Sequence, residues 1–151
     1  MEKKYEFTDE VNECGHKRIR ALRDISRYNV KKGDLGGFLE NEKNLSHSGD
    51  CWVADNSIVS GDSFISGNAS VSDNAKVSDN ARVFGNAFVF SNAIVSGNVR
   101  IYGDAIVSGN AYVSGNAFVF NNAWVFGNAE IFGDAEISGN AIVCGNANIS
   151  D

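Results

Sequence analysis

From Val53 to Ile149 the chain places Val or Ile at every sixth position, 17 times without an insertion or a miss. Two residues earlier stands a small side chain: Cys51, Ser57 and Ser63 first, then Ala in every hexad except the one that carries Val99. Three residues after each aliphatic, from Asn56 to Asn146, stands Asn or Asp, and the residue before that is most often Gly, as at Gly61, Gly85 and Gly109. The order small–x–aliphatic–x alternates with period two, so each hexad predicts a short strand with two side chains inward and two outward. The Gly-Asn pair that follows supplies a tight corner, because both residues tolerate left-handed backbone angles. Three strand-and-corner units close an 18-residue triangular coil, and stacked coils bury a column of aliphatics that one coil could not bury alone. Stacking at ~4.8 Å per coil gives about six coils and a length of roughly 29 Å from Asn44 onward. The expected fold is all-β: a parallel β-helix over residues 47–151, preceded by a capping segment over residues 1–46.

The first 46 residues do not follow the hexad. Tyr5 and Phe7 alternate with Lys4, Glu6 and Thr8 and predict a strand, Asn12 to Gly15 a turn, and Arg18 to Leu22 a second strand. The run KKGDLGG (31–37) reads as a Gly-rich turn; a phosphate-binding loop would need a helix-opening GK[ST], and none follows. A cap over the first coil hides a strand edge that would otherwise template aggregation. His47 falls in the aliphatic register, six residues before Val53. At the other end the hexads run to Asp151 with no closing segment, which leaves a longer chain or a last coil covered by another subunit as the alternatives.

Hexads such as VSGNAY (107–112), VFGNAE (125–130) and IFGDAE (131–136) resemble the hexapeptide repeat of left-handed β-helix proteins, over about 105 residues. Pentapeptide repeats would need period five, and a calcium-binding roll would need GGxGxD; neither is present. Residues 30–56, VKKGDLGGFLENEKNLSHSGDCWVADN, are similar to the leader of a bacterial and phage group that includes the YdcK-type proteins, which often carry a transferase label. The resemblance implies a cap followed by a left-handed parallel β-helix. It also implies side-by-side homo-oligomers, dimeric or trimeric, and a phage or prophage accessory protein that binds and inhibits a host defence factor. Enzymes of the wider hexapeptide class imply the alternative: an acyl-CoA-dependent acyltransferase with an active site between subunits.

That alternative needs a histidine base in a cleft shaped by a loop between coils. The chain has two histidines, His16 in the cap turn and His47 at the first coil, and its uninterrupted hexads leave no room for such a loop. A carbonic-anhydrase-like zinc centre would need three histidines. Asp62, Asp104 and Asp134 are explained by turn formation at the corners, so neither a metal nor any other cofactor is expected. A lattice-matched ice-binding ladder would need Thr-x-Thr; here Ser60, Ser78, Ser96 and Ser114 stand beside the mixed residues Ile58, Lys76, Ile94 and Tyr112, which reads as a plain solvated face.

Charge is divided unevenly: residues 1–46 hold 10 Lys/Arg and 9 Asp/Glu, residues 47–151 hold 3 and 10. An acidic solenoid argues against nucleic acid as a partner. The apolar runs are too short for a membrane span, and the charged start MEKKYEFTDE does not resemble a signal peptide. Cys14, Cys51 and Cys144 form no CxxC pair, which points to a reducing, cytoplasmic setting.

The informative residues point outward. On the face built around Val53, Val71, Val89, Val107, Val125 and Val143 they include Trp52, Phe88, Phe90, Ile106, Trp124, Phe126 and Ile142, the candidate oligomer interface. The face around Ile65, Val83, Ile101, Val119 and Ile137 carries Phe64, Arg82, Phe84, Arg100, Tyr102, Phe118 and Phe120, the candidate surface for a second protein. Aromatics outside a core already filled by Val and Ala mark interfaces more than they serve folding of one chain.

Overall fold

The computed structural model describes residues 2–150. Strands of two or three residues recur at six-residue intervals from Trp52 to Ser150 and stack as a parallel β-solenoid. Neighbours in the stack are 18 residues apart: Phe88 pairs with Ser70 on one side and Ile106 on the other. The strands form three sheets. Those in register with Val59 belong to a nine-stranded sheet, those in register with Val53 to a six-stranded one, and those in register with Ile65 to a five-stranded one. Every small and aliphatic residue of the inward pair, from Ala69 to Ile131, is 0% exposed. Each buried Val or Ile contributes ~1.5–3 kcal/mol relative to exposure, so the column is the main source of stability.

The corners follow one rule. The residue before each corner Asn or Asp, from Asp55 to Gly145, lies in the left-handed region with φ between 57° and 71°. Glycine suits this position for a second reason: at Gly109 a Cβ would sit 2.7 Å from the backbone nitrogen of Gly127 in the next coil. Where Asp replaces Gly, its carboxylate gives something back. Asp55, Asp73 and Asp79 accept from the backbone N–H of Asp73, Ser91 and Gly97 at 2.9–3.0 Å. Ser91 makes no equivalent bond among the described residues. Ser91→Gly is therefore expected to raise stability by about 0.5–1 kcal/mol, the strain of a left-handed non-glycine less the added freedom of the unfolded chain. A lower melting temperature for that variant would contradict this account of the corner.

One residue further on, side chains connect the coils directly. Asn80 donates to Asn98, Asn98 to Asn116 and Asn116 to Asp134 at 3.0–3.2 Å, and Asn92, Asn110, Asn128 and Asn146 form a second such ladder. Asp104 accepts from Asn86 at 3.2 Å but has no N–H to pass on.

The N-terminal segment extends the nine-stranded sheet. Strand β1 (Tyr5–Val11) and β2 (Lys17–Ala21) are antiparallel, β2 pairs antiparallel with β3 (Leu35–Leu39), and β3 pairs parallel with Ile58–Val59. The predicted turn is held by Asn12, whose Oδ1 accepts from the N–H groups of Cys14 and His16. The Gly-rich run behaves differently from its expectation as a single turn. Lys31 to Asp34 does turn, with the Asp34 N–H on the Lys31 carbonyl and Gly33 at φ +95°. Gly36 and Gly37, however, lie inside β3, because a Cβ there would stand 2.6 Å from the Val53 carbonyl and 2.7 Å from that of Ser57. They are strand glycines that let two backbones approach.

A second correction concerns the first coil. Leu39 pairs with Val59, and Leu45 bridges to Ile65, each 20 residues away rather than 18. Two extra residues are thus absorbed between Ser46 and Asp50. Leu45 is 1% exposed and fills the aliphatic position that the hexad count gives to His47. His47 is displaced into the wide corner.

Candidate functional site

The Val53 face separates into a covered half and an open half. Trp52 does not belong to an oligomer interface: it is 2% exposed, lying beneath Gly36 and Ile19 of the cap. Sequence reasoning placed it outward correctly but could not see that the cap folds over it. Phe88 meets the edge of Tyr28 at 6.1 Å, and the Tyr28 hydroxyl donates to the Asn68 carbonyl, so the cap reaches this row too. Below it the face is open. Phe90, Ile106 and Phe126 are half-buried, Trp124 packs on Phe126 at 4.7 Å yet remains 43% exposed, and Ile142 is 63% exposed.

On the Ile65 face, Phe84, Tyr102 and Phe120 stack as a ladder with ring centroids 4.9 and 5.0 Å apart and planes within 5°. The 18-residue coil brings these rings face to face at the sheet spacing, which adds stacking between coils. Phe64 and Phe118 are half-buried, while Arg82 and Arg100 are exposed and directly paired rung to rung. Arg82, Arg100, Phe64, Ser66 and Phe84 line a shallow trough of about 220 Å³. The Val59 face, expected to be plain, also exposes large apolar groups: Ile94 (40%), Tyr112 (46%) and Phe132 (38%). Their outward register was visible in the sequence, but Lys76 and Glu130 in the same rows masked the pattern. A wider groove of about 500 Å³ lies under the β1–β2 turn, lined by Val11, Cys14, Phe38, Ile58 and Lys76 among others.

The polar cluster with the most perturbed groups lies beneath the cap. Lys4 is 0% exposed, and its Nζ donates to the Cys51 carbonyl at 2.6 Å, the Gly49 carbonyl at 3.2 Å and the Cys51 sulfur at 3.2 Å. Burial pushes the Lys4 pKa down and the Cys51 thiol up. The Tyr5 hydroxyl donates to the Glu42 and Leu45 carbonyls, and burial raises its pKa. His47 stacks on Tyr5 with centroids 4.2 Å apart, its Nδ1 accepts from the Lys4 N–H at 3.0 Å, and its Nε2 faces the Glu42 carboxylate at 3.6 Å. These contacts fasten the cap to the wide first corner. His16 is separate, with its ring 3.4 Å from the Asn12 amide in the hairpin turn. Among the described residues no three His, Cys, Asp or Glu side chains converge to hold a metal ion, and no helix is long and apolar enough to cross a membrane.

His47 gives the cap a pH dependence. Burial lowers its pKa, against the opposing pull of Glu42, with Lys3 and Lys4 lowering it further. The unfolded chain, titrating near 6.5, takes up a proton before the folded chain does. Stability is therefore full above that pH and falls as pH drops through it towards the lower folded value. His47→Gln should flatten the difference in melting temperature between pH 7.5 and 5.5; an unchanged difference would remove His47 as its source.

Residues 99–115 match the family model described as the YdcK β-solenoid repeat. A search of curated proteins returned no match. The matched stretch covers the corners at Gly103 and Gly109 and the Arg100 and Ile106 strands, whose geometry recurs at 18-residue spacing through the stack. With its period-six repeat, its parallel coils and its antiparallel cap, the chain is a hexapeptide-repeat β-solenoid in which residues 99–115 match the YdcK-type repeat.

Proposed function

We propose that this protein is a non-catalytic binding solenoid that associates with itself through the open half of the Val53 face. The observation that carries the reading is the row Ile106, Trp124, Phe126 and Ile142, where Trp124 is 43% and Ile142 63% exposed. These side chains add nothing to the inner column, which Val and Ala already close. The area still open on Trp124 and Ile142, with the half-buried Ile106 and Phe126 beside them, makes a contiguous apolar patch on the order of a few hundred Å², the size at which such a patch marks an interaction site, and a second copy seated here would cover it. A face without inserted loops also suits a flat, side-by-side contact. The likeness of residues 30–56 to the YdcK group supports a phage or prophage accessory role in the cytoplasm, in which the assembled solenoid occupies and inhibits a host defence protein.

Light scattering tests the association. The wild type should give a discrete dimer or trimer, and Trp124→Glu with Phe126→Glu should give a folded monomer. A wild-type monomer at tens of micromolar, or a double variant of unchanged mass, would contradict the assignment of this face.

A further inference from the structure

The Ile65 face carries a charge arrangement that the rest of the solenoid avoids. Residues 51–150 contain three cations, Lys76, Arg82 and Arg100, and two of them occupy adjacent rungs of the same sheet. Lys76 is flanked by Ile58 and Ile94, Glu130 by Tyr112 and Asn148, and Glu136 by Phe118. Arg82–Arg100 is the one like-charge pair among the registered strand pairs of the described residues, an arrangement that weakens a sheet. Neither guanidinium has a carboxylate within salt-bridge distance among the described residues, although the protein has a net charge of −6. Beside them runs the Phe84–Tyr102–Phe120 ladder, and the trough of about 220 Å³ lies between the arginines and Phe64 and Phe84.

We propose that this trough is the docking site for an acidic, aromatic-containing peptide segment of a partner protein, with a carboxylate bridging Arg82 and Arg100 and an aromatic side chain packed against Phe64 and Phe84. Two guanidinium groups one strand spacing apart present parallel N–H forks to a single carboxylate, which neutralises the repulsion that the fold itself leaves unbalanced. The aromatic shelf supplies apolar area and excludes water from the ion pair, the combination of Arg and aromatic groups that concentrates binding energy. The shallow, loop-free shape of the trough fits an extended segment crossing a flat face and gives a small ligand little enclosure. This inference deepens the binding reading above by naming the chemistry of the partner, and it concerns a different face from self-association.

The test is selection from a random 12-residue peptide library on the wild type, with parallel selection on the Arg82→Ala, Arg100→Ala double variant. Both arginines are exposed, so the variant keeps the fold, and a melting temperature no lower than the wild type's with an unchanged solution mass confirms this in the same samples. The expected result is enrichment of Asp or Glu next to Phe, Tyr or Trp on the wild type alone. The best synthetic peptide should bind about tenfold or more weakly to either single variant or to Phe84→Ala, and weaken with added salt. Inorganic phosphate and a peptide with Gln for Glu serve as controls. No enrichment, enrichment independent of the arginines, or phosphate competing as well as the peptide would overturn the proposal. Because mass is read on the same variants, loss of peptide binding with an intact oligomer separates this site from the Val53 face.

Discussion

Val95→Asp is expected to destroy cooperative folding of the solenoid, whereas Ile94→Asp, its neighbour in the chain, is expected to be tolerated. Val95 is 0% exposed, between Val77 and Val113 in the inner column, and Ile94 is 40% exposed on the outside of the same strand. A carboxylate at Val95 has no counter-charge in the column. Burying it unpaired costs at least ~4 kcal/mol, or drives the coil open to water. Each coil touches only its neighbours, so one opened coil also removes the packing surface of the next. At Ile94 the same carboxylate stays hydrated, and the loss is about 1 kcal/mol or less, from strand propensity and one side-chain contact. Denaturant unfolding followed by far-UV circular dichroism separates the two. Similar losses for both variants would contradict the inward–outward alternation on which the fold rests.

The second large effect is expected at Lys4. Lys4→Met keeps most of the side-chain length but leaves the buried Cys51 carbonyl without its donor, while the carbonyl of exposed Gly49 keeps the Arg23 guanidinium. One unsatisfied buried acceptor costs ~1–3 kcal/mol, so the cap should open more easily by about that amount. Cys51 reports that opening directly. It is buried and burial raises its thiol pKa, while Cys14 and Cys144 are exposed. In the wild type two thiols should react quickly with an aromatic disulfide and Cys51 only when the cap lifts. The substitution should speed Cys51 labelling by about 5- to 150-fold, the rate equivalent of that free energy when opening is a pre-equilibrium. An unchanged Cys51 rate would show that the lysine does not hold the cap.

The coils were legible because their cause is local. A residue in the inward register is inward whatever surrounds it, and a corner at Gly109 needs its left-handed angle irrespective of the partner coil. What escaped the sequence depends on segments far apart in the chain. Trp52 has the same outward register as Phe88 and Trp124, and only the cap crossing above it makes it a core residue. His47 lost its register because two residues were added between Leu45 and Val53, a shift that a count running back from Val53 cannot detect. One signal was present: Cys51 stands where later coils place Ala, and a departure from a near-uniform column marks a coil with a special neighbour, here Lys4. Gly36 and Gly37 read as a turn since glycine has two uses, and the choice between them rests on backbone atoms of Val53 and Ser57 that are distant in sequence. The arginine pair was visible as two residues 18 apart on one face, but that no carboxylate among the described residues pairs with it shows only in three dimensions.

The central claim, that the open half of the Val53 face is where copies meet, is tested most directly by the accessibility of Trp124. The protein has two tryptophans, and Trp52, at 2% exposed, contributes a constant protected background. Acrylamide quenching and the emission maximum of the wild type are measured across a dilution series, with mass by light scattering on each sample. The account predicts that quenching falls and emission shifts to the blue in step with the rise in mass, as Trp124 passes from water into the contact. A mass that rises while Trp124 stays as quenchable as in the most dilute sample would place the contact elsewhere and contradict the account.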